Sequence, residues 1–393
     1  MLSRARAVSS PRVINIEDLR KAAKRHVPRV MFDYIDGGAE AEVTMKQNRA
    51  VFDSVSFRPR AAVETARCDL SVKVLGIDLD LPFLLAPIGS SRMLHPGGEV
   101  AAASAAGKGG TAYILSTMSG HSLEDVKKSS SLPVFYQLYP VGGRAVAEAG
   151  IQRASEAGYA ALFVTVDTPV SGMRERDIRN GSAALIGRKL AMLPHVGQLL
   201  SRPAWLLNYL QDGGLMSFPN VVIPGKGPLK FTYISKALEN TVMSWNDFRW
   251  IRELWKGPIV VKGILTGEDA LRAVDVGAAG VVVSNHGGRQ LDGAPATLRI
   301  LPEIVRAVQG QAEVLLDGGI RKGSDIVKAL GLGARAVLVG RAYTYGLAAA
   351  GEAGVTRAIE ILRADLIRTM KLLGCESVRD LNRSYLNVPQ DWV

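Results

Sequence analysis

Residues Glu313–Gly340, EVLLDGGIRKGSDIVKALGLGARAVLVG, decide the fold of this chain. Two short apolar runs, Glu313–Gly318 and Ala336–Gly340, enclose a helix-compatible pattern over Ile320–Leu332. Neither run alternates strictly between apolar and polar residues, which is typical of parallel strands that are buried on both faces. The stretch therefore predicts a strand, a helix and a second strand parallel to the first.

The same unit recurs along the chain from Pro82 onward. The six further apolar runs are Phe83–Ile88, Thr111–Ser116, Val134–Tyr139, Ala161–Asp167, Ile259–Gly263 and Gly280–Asn285. The segments between them are mostly helix-compatible, as at Gly98–Gly107. Eight β/α units in a row predict a (β/α)8 TIM barrel, an α/β fold whose usual size is about 250 residues. A doubly wound open sheet is the weaker alternative, because no G-x-G-x-x-G motif follows a first strand.

The N-terminal region lies outside the repeating units. Residues 1–14 contain basic side chains and lack the apolar core of a secretory signal, so they are predicted to form a flexible basic tail. Short helices are predicted at Asn15–Arg25 and Arg29–Tyr34, where they cap one end of the barrel. Residues 15–393 are predicted to form a single domain.

The interval between Asp167 and Ile259 is long, so an insertion at about residues 181–240 is predicted after the fourth strand. Its centre, Leu190–Phe218, is rich in Leu, Trp and Tyr and poor in acidic residues. That composition suits a segment that lies on an anionic membrane surface. A lid or a subunit-contact loop with a buried apolar side explains the composition equally well.

The composition of the chain excludes several classes of protein. It has 393 residues, of which 47% are hydrophobic, enough for a large core and too many for a disordered chain. Its two cysteines, Cys68 and Cys375, cannot build a disulfide framework, and a reducing cytosolic compartment fits. The net charge of +11 favours anionic partners. Nucleic acid is not expected, because no RNA-binding or zinc-finger pattern is present, and no apolar stretch approaches the ~20 residues of a membrane span.

A phosphate site is predicted after the last two strands. The seventh run ends in Asp317-Gly318-Gly319-Ile320-Arg321 and the eighth in Gly340-Arg341. TIM barrels often bind phosphate between these two loops, through glycine N–H groups and the N-terminus of a helix. The two arginines add charge-assisted contacts, so a phosphorylated cofactor is the expected occupant.

A reactive cluster is predicted after the sixth strand, in Ser284–Asp292, SNHGGRQLD. His286 is the only one of the five histidines at the C-terminal end of a predicted barrel strand, where the catalytic residues of TIM barrels lie. Arg289 follows three residues later, and a general base beside a guanidinium suits an anionic substrate that must lose a proton. No nucleophilic serine elbow and no metal-ligand set accompany them, so hydrolase and metal chemistry are not favoured.

Other predicted strand ends supply complementary groups. Tyr139 ends the third strand, Asp167 the fourth and Lys262 the fifth, and Arg174 lies just beyond the fourth. Asp167 is placed to orient His286 and to stabilise its protonated form, as a carboxylate does in hydrolytic triads. A purely structural Asp–His pair is the alternative.

The segment Ser284–Asp292 resembles the signature of the FMN-dependent L-2-hydroxy-acid dehydrogenase and oxidase family. This family includes L-lactate dehydrogenases, (S)-mandelate dehydrogenase, glycolate oxidase and flavocytochrome b2. The resemblance runs from about Ile16 to near Ser384. Its further motifs are Phe32-Asp33-Tyr34, Gly37-Gly38-Ala39-Glu40, Leu85-Ala86-Pro87, Gln137-Leu138-Tyr139, Thr165-Val166-Asp167, Val261-Lys262-Gly263 and Asp317-Gly318-Gly319.

The resemblance implies an FMN site on the C-terminal side of the barrel. Its phosphate ligands would be Gly319, Arg321, Gly340 and Arg341. Contacts to the ribityl chain and the ring system would come from Gly89, Ser116, Gln137, Thr165, Lys262, Ser284 and Asp317. The resemblance also implies that the substrate carboxylate is held by Tyr34, Arg174 and Arg289, that Tyr139 contacts the substrate hydroxyl, and that His286, paired with Asp167, is the base.

The expected activity is oxidation of an L-2-hydroxy acid, most plausibly L-lactate, with electrons passed to a membrane quinone. A hydroxy-acid oxidase that uses O2, and a dehydrogenase for an aryl acid such as mandelate, are the enzymatic alternatives. A non-catalytic flavin-binding barrel is a further one. Gly89 stands where oxidases commonly carry Ala, which indicates poor oxygen reactivity. Met118 leaves the size of the substrate pocket open. Pro140 is expected to reshape the loop that follows Gln137-Leu138-Tyr139. The family implies a homotetramer, and the expected location is cytoplasmic and peripheral on the inner face of the membrane.

Overall fold

Eight parallel strands close into a barrel in the computed structural model of the protein. The structure describes residues 13–181, 194–214, 216–233 and 242–392. Each strand pairs with the next one along the chain, and Val337 of the eighth strand pairs with Phe83 of the first, which completes the ring. The predicted TIM barrel is confirmed. The open-sheet alternative is wrong, since an open sheet has two unpaired edges.

All eight predicted strands are present. They span Phe83–Leu85, Tyr113–Ser116, Val134–Leu138, Leu162–Thr165, Ile259–Ile264, Gly280–Val283, Glu313–Asp317 and Ala336–Val339. Most of them end earlier than the sequence predicts, because the last residues of each apolar run leave the ladder. Those residues begin the loops on the C-terminal side of the barrel.

Helices surround the barrel and precede it. They span Ile16–His26, Arg29–Asp36, Val43–Ala50, Gly98–Lys108, Leu123–Ser129, Arg144–Glu156, Glu175–Arg179, Val196–Leu200, Pro203–Gln211, Asp247–Leu254, Gly267–Asp275, Thr297–Val308, Gly323–Gly331, Arg341–Ala350 and Glu352–Leu373. The first two are the short N-terminal helices that the sequence predicts. The first begins where it does because the Asn15 side chain accepts a hydrogen bond from the Asp18 N–H and caps the helix.

The barrel interior is packed in layers. The apolar layer forms a cluster separate from the outer core and includes Leu84, Ile114, Phe135, Phe163, Val260, Val282, Leu315 and Leu338. Side chains two positions further along a strand point the same way. The next layer toward the C-terminal side therefore consists of Ala86, Ser116, Gln137, Thr165, Lys262, Ser284, Asp317 and Gly340. The interior thus changes from apolar to polar within one step along the strands.

A β-hairpin closes the N-terminal end of the barrel. Its strands, Val72–Val74 and Ile77–Leu79, are antiparallel and joined by Leu75 and Gly76, both with positive φ. The hairpin's apolar side chains belong to the interior cluster. The Leu75 N–H donates to the carboxylate of Glu313, at the start of the seventh strand, over 3.0 Å. The hairpin therefore seals the apolar layer from below.

The predicted insertion lies between the fourth and fifth strands. Its described part contains the helices Val196–Leu200 and Pro203–Gln211 and a hairpin of Ser217–Ile223 with Gly227–Lys230. Residues 182–193 and 234–241, together with residues 1–12 of the predicted basic tail, lie outside the described residues. The division into tail, domain and insertion therefore stays a prediction.

The apolar residues at the centre of the insertion divide into two sets. Leu199 and Trp205 are buried, and the Trp205 indole donates to the Met93 carbonyl over 3.1 Å. Leu200, Leu207 and Leu210 are about 60% exposed, at 64%, 59% and 61%. Within the described residues, no helix is long and apolar enough to cross a membrane.

The insertion is fastened to the loop that follows the first barrel strand. The Arg92 guanidinium makes a bidentate ion pair with the Asp212 carboxylate, with Nε 2.6 Å from Oδ2 and an Nη 2.8 Å from Oδ1. Arg92 also donates to the carbonyls of Gly120 and Asp212. The C-terminal end of the helix Pro203–Gln211 is therefore fixed relative to the loops on the C-terminal side.

We expect Phe163→Ala to lower the free energy of unfolding by about 3–5 kcal/mol, because it opens a cavity in the apolar layer. Phe163 is fully buried, and its ring stacks on that of Phe135 with centroids 5.6 Å apart. Chemical denaturation of the two proteins measures the difference. Leu372→Ala, at a position 73% exposed, is the control and should change stability by less than about 0.5 kcal/mol. A loss below about 1 kcal/mol for Phe163→Ala would contradict the layered interior.

Candidate active site

The polar layer of the barrel contains two groups of hydrogen-bonded side chains. The Ser116 hydroxyl donates to the side-chain oxygen of Gln137, Oε1, over 2.9 Å. The side-chain nitrogen of Gln137 donates to the Thr165 hydroxyl over 3.0 Å. Across the barrel, the Lys262 ammonium donates to the Ser284 hydroxyl over 2.9 Å. All five side chains are buried. Their donors and acceptors are thus held in fixed directions at the C-terminal end of the barrel.

Lys262 is a buried cation. Burial by itself lowers the pKa of Lys262, but the negative charges of Asp317 and Asp167 outweigh it and leave the pKa above its ordinary value. The ammonium lies 3.2 Å from Asp317 Oδ2. The other oxygen, Asp317 Oδ1, is buried without a hydrogen-bond donor among the described residues. Because an unsatisfied buried carboxylate oxygen is costly, it marks a place for a hydroxyl group of a bound molecule.

His286 joins Asp167 and Tyr139 above this layer. Its Nδ1 lies 2.9 Å from Asp167 Oδ1, and its Nε2 lies 3.3 Å from the Tyr139 hydroxyl. Burial lowers the pKa of His286 below its ordinary value of 6.5, although the Asp167 charge opposes the shift. Burial raises the pKa of Asp167, but the interactions with His286 and Lys262 outweigh it and leave that pKa below its ordinary value. A neutral imidazole beside a carboxylate carries its hydrogen on Nδ1, so Nε2 is a free base.

The backbone that carries His286 is unusual. His286, Gly287 and Gly288 all have positive φ, at 58°, 66° and 74°. A left-handed conformation is rare for a residue with a side chain and persists only where the surroundings impose it. The Ser284 hydroxyl accepts a hydrogen bond from the His286 N–H over 3.1 Å, so the polar layer also supports this turn.

Gln290 fixes the loop that carries Asp167 to the His286 loop. Its amide donates to the carbonyls of Asp167 and Val170 over 2.9 and 2.8 Å, and its oxygen accepts from the Gly172 N–H over 3.1 Å. Gln290 lies within the signature segment Ser284–Asp292, and no role is predicted for it from the sequence. The structure makes it the link between the two loops that supply the base and its carboxylate partner.

Two guanidinium groups, those of Arg289 and Arg174, lie near the Tyr139 hydroxyl, and both interact electrostatically with the Asp177 carboxylate. Arg289 donates to the carbonyls of Tyr34 and Gly37 over 2.7 and 2.9 Å, and lies 5.2 Å from the centre of the Tyr34 ring. Arg174 Nε is buried without a partner among the described residues. Burial, together with the positive charge of Arg174, lowers the pKa of Arg289 to about 9. Two cations held close together in this way favour an anion between them.

Tyr34 reaches the same region from the N-terminal helices. Its hydroxyl donates to the Gly89 carbonyl over 3.2 Å, so the helix Arg29–Asp36 lies against the loop after the first strand. A Cβ at Gly89 would lie 2.9 Å from the Cβ of Met118. Gly89 therefore permits the close approach of the first and second loops.

The predicted phosphate site has one open helix N-terminus. The helix Gly323–Gly331 is already capped, since Asp325 accepts from the N–H groups of Arg321 and Lys322, over 2.9 Å each. The helix Arg341–Ala350 begins at Gly340, and no side chain of the described residues caps it. The positive end of the second helix is therefore the one available to an anion.

The two predicted phosphate arginines differ in their contacts. The Arg321 guanidinium donates one hydrogen bond among the described residues, to the Ile320 carbonyl, and lies 5.7 Å from the centre of the Tyr345 ring. Arg341 donates to the carbonyls of Ile35, Gly37 and Gly287 over 2.7–3.0 Å. Arg321 thus keeps most of its donors for a ligand, whereas Arg341 mainly joins the N-terminal segment to the His286 loop.

The structure brings the residues predicted for the site to the C-terminal side of the barrel. The sequence predicts no role for three further residues that position the site, which are Gln290, Asp292 and Asn48. Gln290 and Asp292 lie inside the quoted signature, so a signal for them was available. Asn48 contacts Asn285 across 237 residues of sequence, and nothing in its local sequence indicates that contact.

We expect Gly319→Ala to weaken FMN retention and to lower the free energy of unfolding by more than about 2 kcal/mol. Gly319 has a φ of 84°, and a Cβ there would lie 1.9 Å from the Asn48 carbonyl oxygen. Gly310→Ala is the matched control, with a φ of 78° and no atom within 4 Å of the added Cβ. It should cost about 1 kcal/mol and keep the flavin. The visible flavin absorbance per protein and denaturant midpoints measure both effects. Equal losses in the two variants would contradict the close packing at Gly319.

The chain matches the family model for FMN-dependent dehydrogenases over residues 23–388. It is 45% identical to an L-lactate oxidase from Nostoc sp. over 97% of this chain and 100% of that protein. It is 39% identical to glycolate oxidase 3 from Arabidopsis thaliana over 97% of each chain. These matches extend over nearly the whole of this chain and of each relative.

Solved structures agree with these matches. The crystal structure of the monotopic membrane protein (S)-mandelate dehydrogenase superposes with a TM-score of 0.90 at 38% identity, covering 96% of this chain and all of that one. Mandelate oxidase with (S)-4-hydroxymandelic acid superposes with a TM-score of 0.81 at 36% identity, covering 95% of this chain and 98% of that one. The polar layer, the unsatisfied Asp317 oxygen and the open helix N-terminus fit a flavin mononucleotide. The chain belongs to the FMN-dependent dehydrogenase family, and it is an FMN-dependent 2-hydroxy-acid oxidoreductase.

Proposed function

We propose that this enzyme oxidises L-lactate to the corresponding 2-oxo acid and passes the electrons to a membrane quinone. The observation that carries the proposal is the unprotonated Nε2 of His286, which Asp167 orients toward the Tyr139 hydroxyl, a group that lies near Arg289 and Arg174. The 45% identity to an L-lactate oxidase supports lactate as the substrate. The exposed leucines of the insertion, and the similarity to a monotopic membrane dehydrogenase, support a membrane acceptor.

In this proposal Arg289 and Arg174 hold the substrate carboxylate. Arg289 is fixed by two carbonyls and by the Tyr34 ring, so its remaining donors keep one direction. An arginine held this way can bind a carboxylate through two parallel hydrogen bonds. The Tyr34 hydroxyl donates to the Gly89 carbonyl in this structure and would turn its hydrogen toward the carboxylate as a neutral donor. The clamp places the hydroxyl-bearing carbon of the substrate beside His286.

His286 accepts the proton that the substrate releases. Oxidation of a 2-hydroxy acid to a 2-oxo acid removes two electrons and two protons; His286 takes one proton, and FMN, when bound, would take up the two electrons and the other proton. Asp167 stabilises the imidazolium that forms on His286. Whether His286 takes the proton from the carbon or from the hydroxyl group, the same Nε2 lone pair is used.

Tyr139 orients the reacting oxygen. Burial, together with the Asp167 charge, holds the pKa of Tyr139 far above its ordinary value, so the hydroxyl stays protonated. It is therefore a permanent donor, 3.3 Å from His286 Nε2. We assign it to the substrate hydroxyl, where it stabilises negative charge that develops on the oxygen.

The remaining predicted residues are assigned to FMN. The carboxylates of Asp317 and Asp167 keep Lys262 protonated, and its positive charge suits the negative charge of a reduced flavin ring. The amide, hydroxyl and backbone groups assigned to the ring system and ribityl chain are Gly89, Ser116, Gln137, Thr165, Ser284 and Asp317. The phosphate is assigned to Gly319, Arg321, Gly340 and Arg341, at the open N-terminus of the helix Arg341–Ala350.

The test of this function is anaerobic mixing of the FMN-loaded protein with L-lactate, glycolate and (S)-mandelate. L-Lactate should remove the visible flavin absorbance fastest, and a quinone analogue should restore it faster than O2 does. Faster reduction by mandelate would establish an aryl-acid dehydrogenase, which the structural similarity to (S)-mandelate dehydrogenase favours next. Stoichiometric peroxide in air would establish an oxidase.

We expect His286→Gln to retain FMN and to slow flavin reduction by about 10²- to 10⁴-fold, because the general base is lost. In the parent enzyme, kcat/KM should rise with pH and level off, since only the neutral imidazole accepts a proton. The apparent pKa of that rise should lie below 6.5, as burial disfavours the imidazolium. Stopped-flow spectroscopy across pH measures both effects. A variant that reduces its flavin at the parent rate would show that another group is the base.

We also propose that the enzyme is a peripheral membrane protein that docks through the insertion. Leu200, Leu207 and Leu210 expose apolar side chains on one pair of short helices, and the chain carries a net positive charge. Trp205 and the Arg92–Asp212 ion pair hold these helices against the barrel. Leucine side chains entering the interface of an anionic bilayer account for this exposure. The proposed tetramer rests on the family resemblance alone.

We expect the double variant Leu207→Ser, Leu210→Ser to bind anionic lipid vesicles at least about tenfold more weakly than the parent. The two leucines bury apolar area worth more than 1.4 kcal/mol in the bilayer. Flavin reduction by L-lactate should be unchanged. Leu271→Ser together with Leu372→Ser, on exposed leucines elsewhere, is the control and should bind like the parent. Vesicle co-sedimentation measures binding, and a parent that stays in the supernatant would refute the membrane proposal.

A further inference from the structure

We infer that Asn48 is a positioning residue for His286, acting through a reciprocal pair of side-chain amides. The inference rests on the proposed function, since it takes His286 as the base. Asn48 lies on the helix Val43–Ala50, before the barrel, and is 1% exposed. Its partner is Asn285, the residue before His286, which is 4% exposed.

The two amides bond to each other in both directions. Asn48 Nδ2 donates to Asn285 Oδ1 over 2.8 Å, and Asn285 Nδ2 donates to Asn48 Oδ1 over 2.9 Å. Each oxygen also accepts a backbone N–H, from Thr297 at Asn48 and from Gly288 at Asn285. These N–H groups fix which end of each amide is the oxygen. The pair is therefore specific for two amides in one orientation.

Asn285 transmits this contact to the turn that carries His286. The Gly288 N–H bonds to Asn285 Oδ1 over 3.1 Å, which closes a loop around His286 and Gly287. The Asn285 amide also donates to the Pro295 carbonyl over 2.9 Å. Because His286 is held at a φ of 58°, the turn needs fixed contacts on both sides. The Ser284 hydroxyl supplies the contact before the turn, and the Asn285 side chain, with its own backbone carbonyl, supplies the one after it; Asn48 holds that side chain in place.

The helix that carries Asn48 is itself attached to the same signature segment. The Asp292 carboxylate accepts from the N–H groups of Val43 and Thr44 over 3.1 and 2.8 Å, and so caps the first turn of the helix. The Thr44 hydroxyl donates to the Ala294 carbonyl over 3.1 Å. The helix thus spans the segment, with Asp292 at its start and Asn285 near its end. This accounts for two signature residues that the proposed chemistry does not use.

Asn48 also reaches the loop after the seventh strand. Its backbone oxygen lies against Gly319, where a Cβ would come within 1.9 Å. Its side-chain oxygen accepts from Thr297, whose hydroxyl donates to the Asp317 carbonyl over 2.5 Å. Asn48 therefore sets the distance between the proposed base and the proposed phosphate end of the site. A positioning residue at this place should affect the rate of the chemical step rather than binding of the substrate carboxylate.

The test compares FMN-loaded parent with Asn48→Ala, Asn285→Ala and the double variant. Each single variant should lower the rate of flavin reduction by L-lactate about 10- to 100-fold per bound FMN, because a displacement near 1 Å has effects of that size. The KM for L-lactate and the Kd for pyruvate should stay within about threefold of the parent. The double variant should be no slower than the slower single variant, since both changes break one interaction.

A second variant and a control keep the outcome decisive. Asn48→Ser fills part of the space of the amide but is too short to reach Asn285, so it should fold and lose a similar rate. Thr111→Val removes a buried hydrogen bond to Phe83, on the first barrel strand, and should leave the rate unchanged.

Multiplicative losses in the double variant, a rate loss below about threefold, or a raised KM at unchanged kcat would each overturn the inference. Failure of the proposed function is distinguishable from these results. In that case the parent itself would not be reduced by L-lactate, and the variants would not be needed to show it.

Discussion

Side chains two positions apart on a strand point the same way, and this constraint places the chemistry of the molecule. In eight parallel strands it converts one change of residue type, from Leu, Ile, Val and Phe to Ser, Gln, Thr, Lys and Asp, into a layer in which six of eight residues are polar, the others being Ala86 and Gly340. The apolar layer below gives that polar layer a close-packed support. The loops above then need only to supply the groups that meet a substrate.

The second organising feature is a separation of charges. Three carboxylates lie near the reactive centre: Asp177 interacts with the two arginines, and Asp167 and Asp317 each use one oxygen to hold a cationic or basic side chain in place. Arg289 is held instead by neutral carbonyls, and Arg174 has a buried nitrogen without a described partner. Positive charge is therefore left for a bound anion, while the base stays neutral. This arrangement suits an acid substrate that enters ionised and must lose a proton.

The barrel and much of the site follow from local sequence patterns. The strands were predictable because burial on both faces selects continuous apolar runs, and the site residues because they lie where those runs end. Asn48 was not predictable, since its partner is remote in sequence and its own helix carries no distinctive pattern. Arg341 was predicted as a phosphate ligand, but its side chain joins three backbone carbonyls, a geometry that residue type alone does not show. The sequence did not predict that Trp205 in the insertion is buried whereas Leu200, Leu207 and Leu210 are exposed, because composition does not distinguish the two sides of a short helix.

The hairpin beneath the apolar layer closes the N-terminal end of the barrel and leaves the C-terminal end open. Val72, Val74 and Leu79 fill its base, so a molecule cannot enter from that side. The cofactor and the acid would therefore both enter from the C-terminal side, so substrate and product would be exchanged across the same face of the barrel that would hold the cofactor.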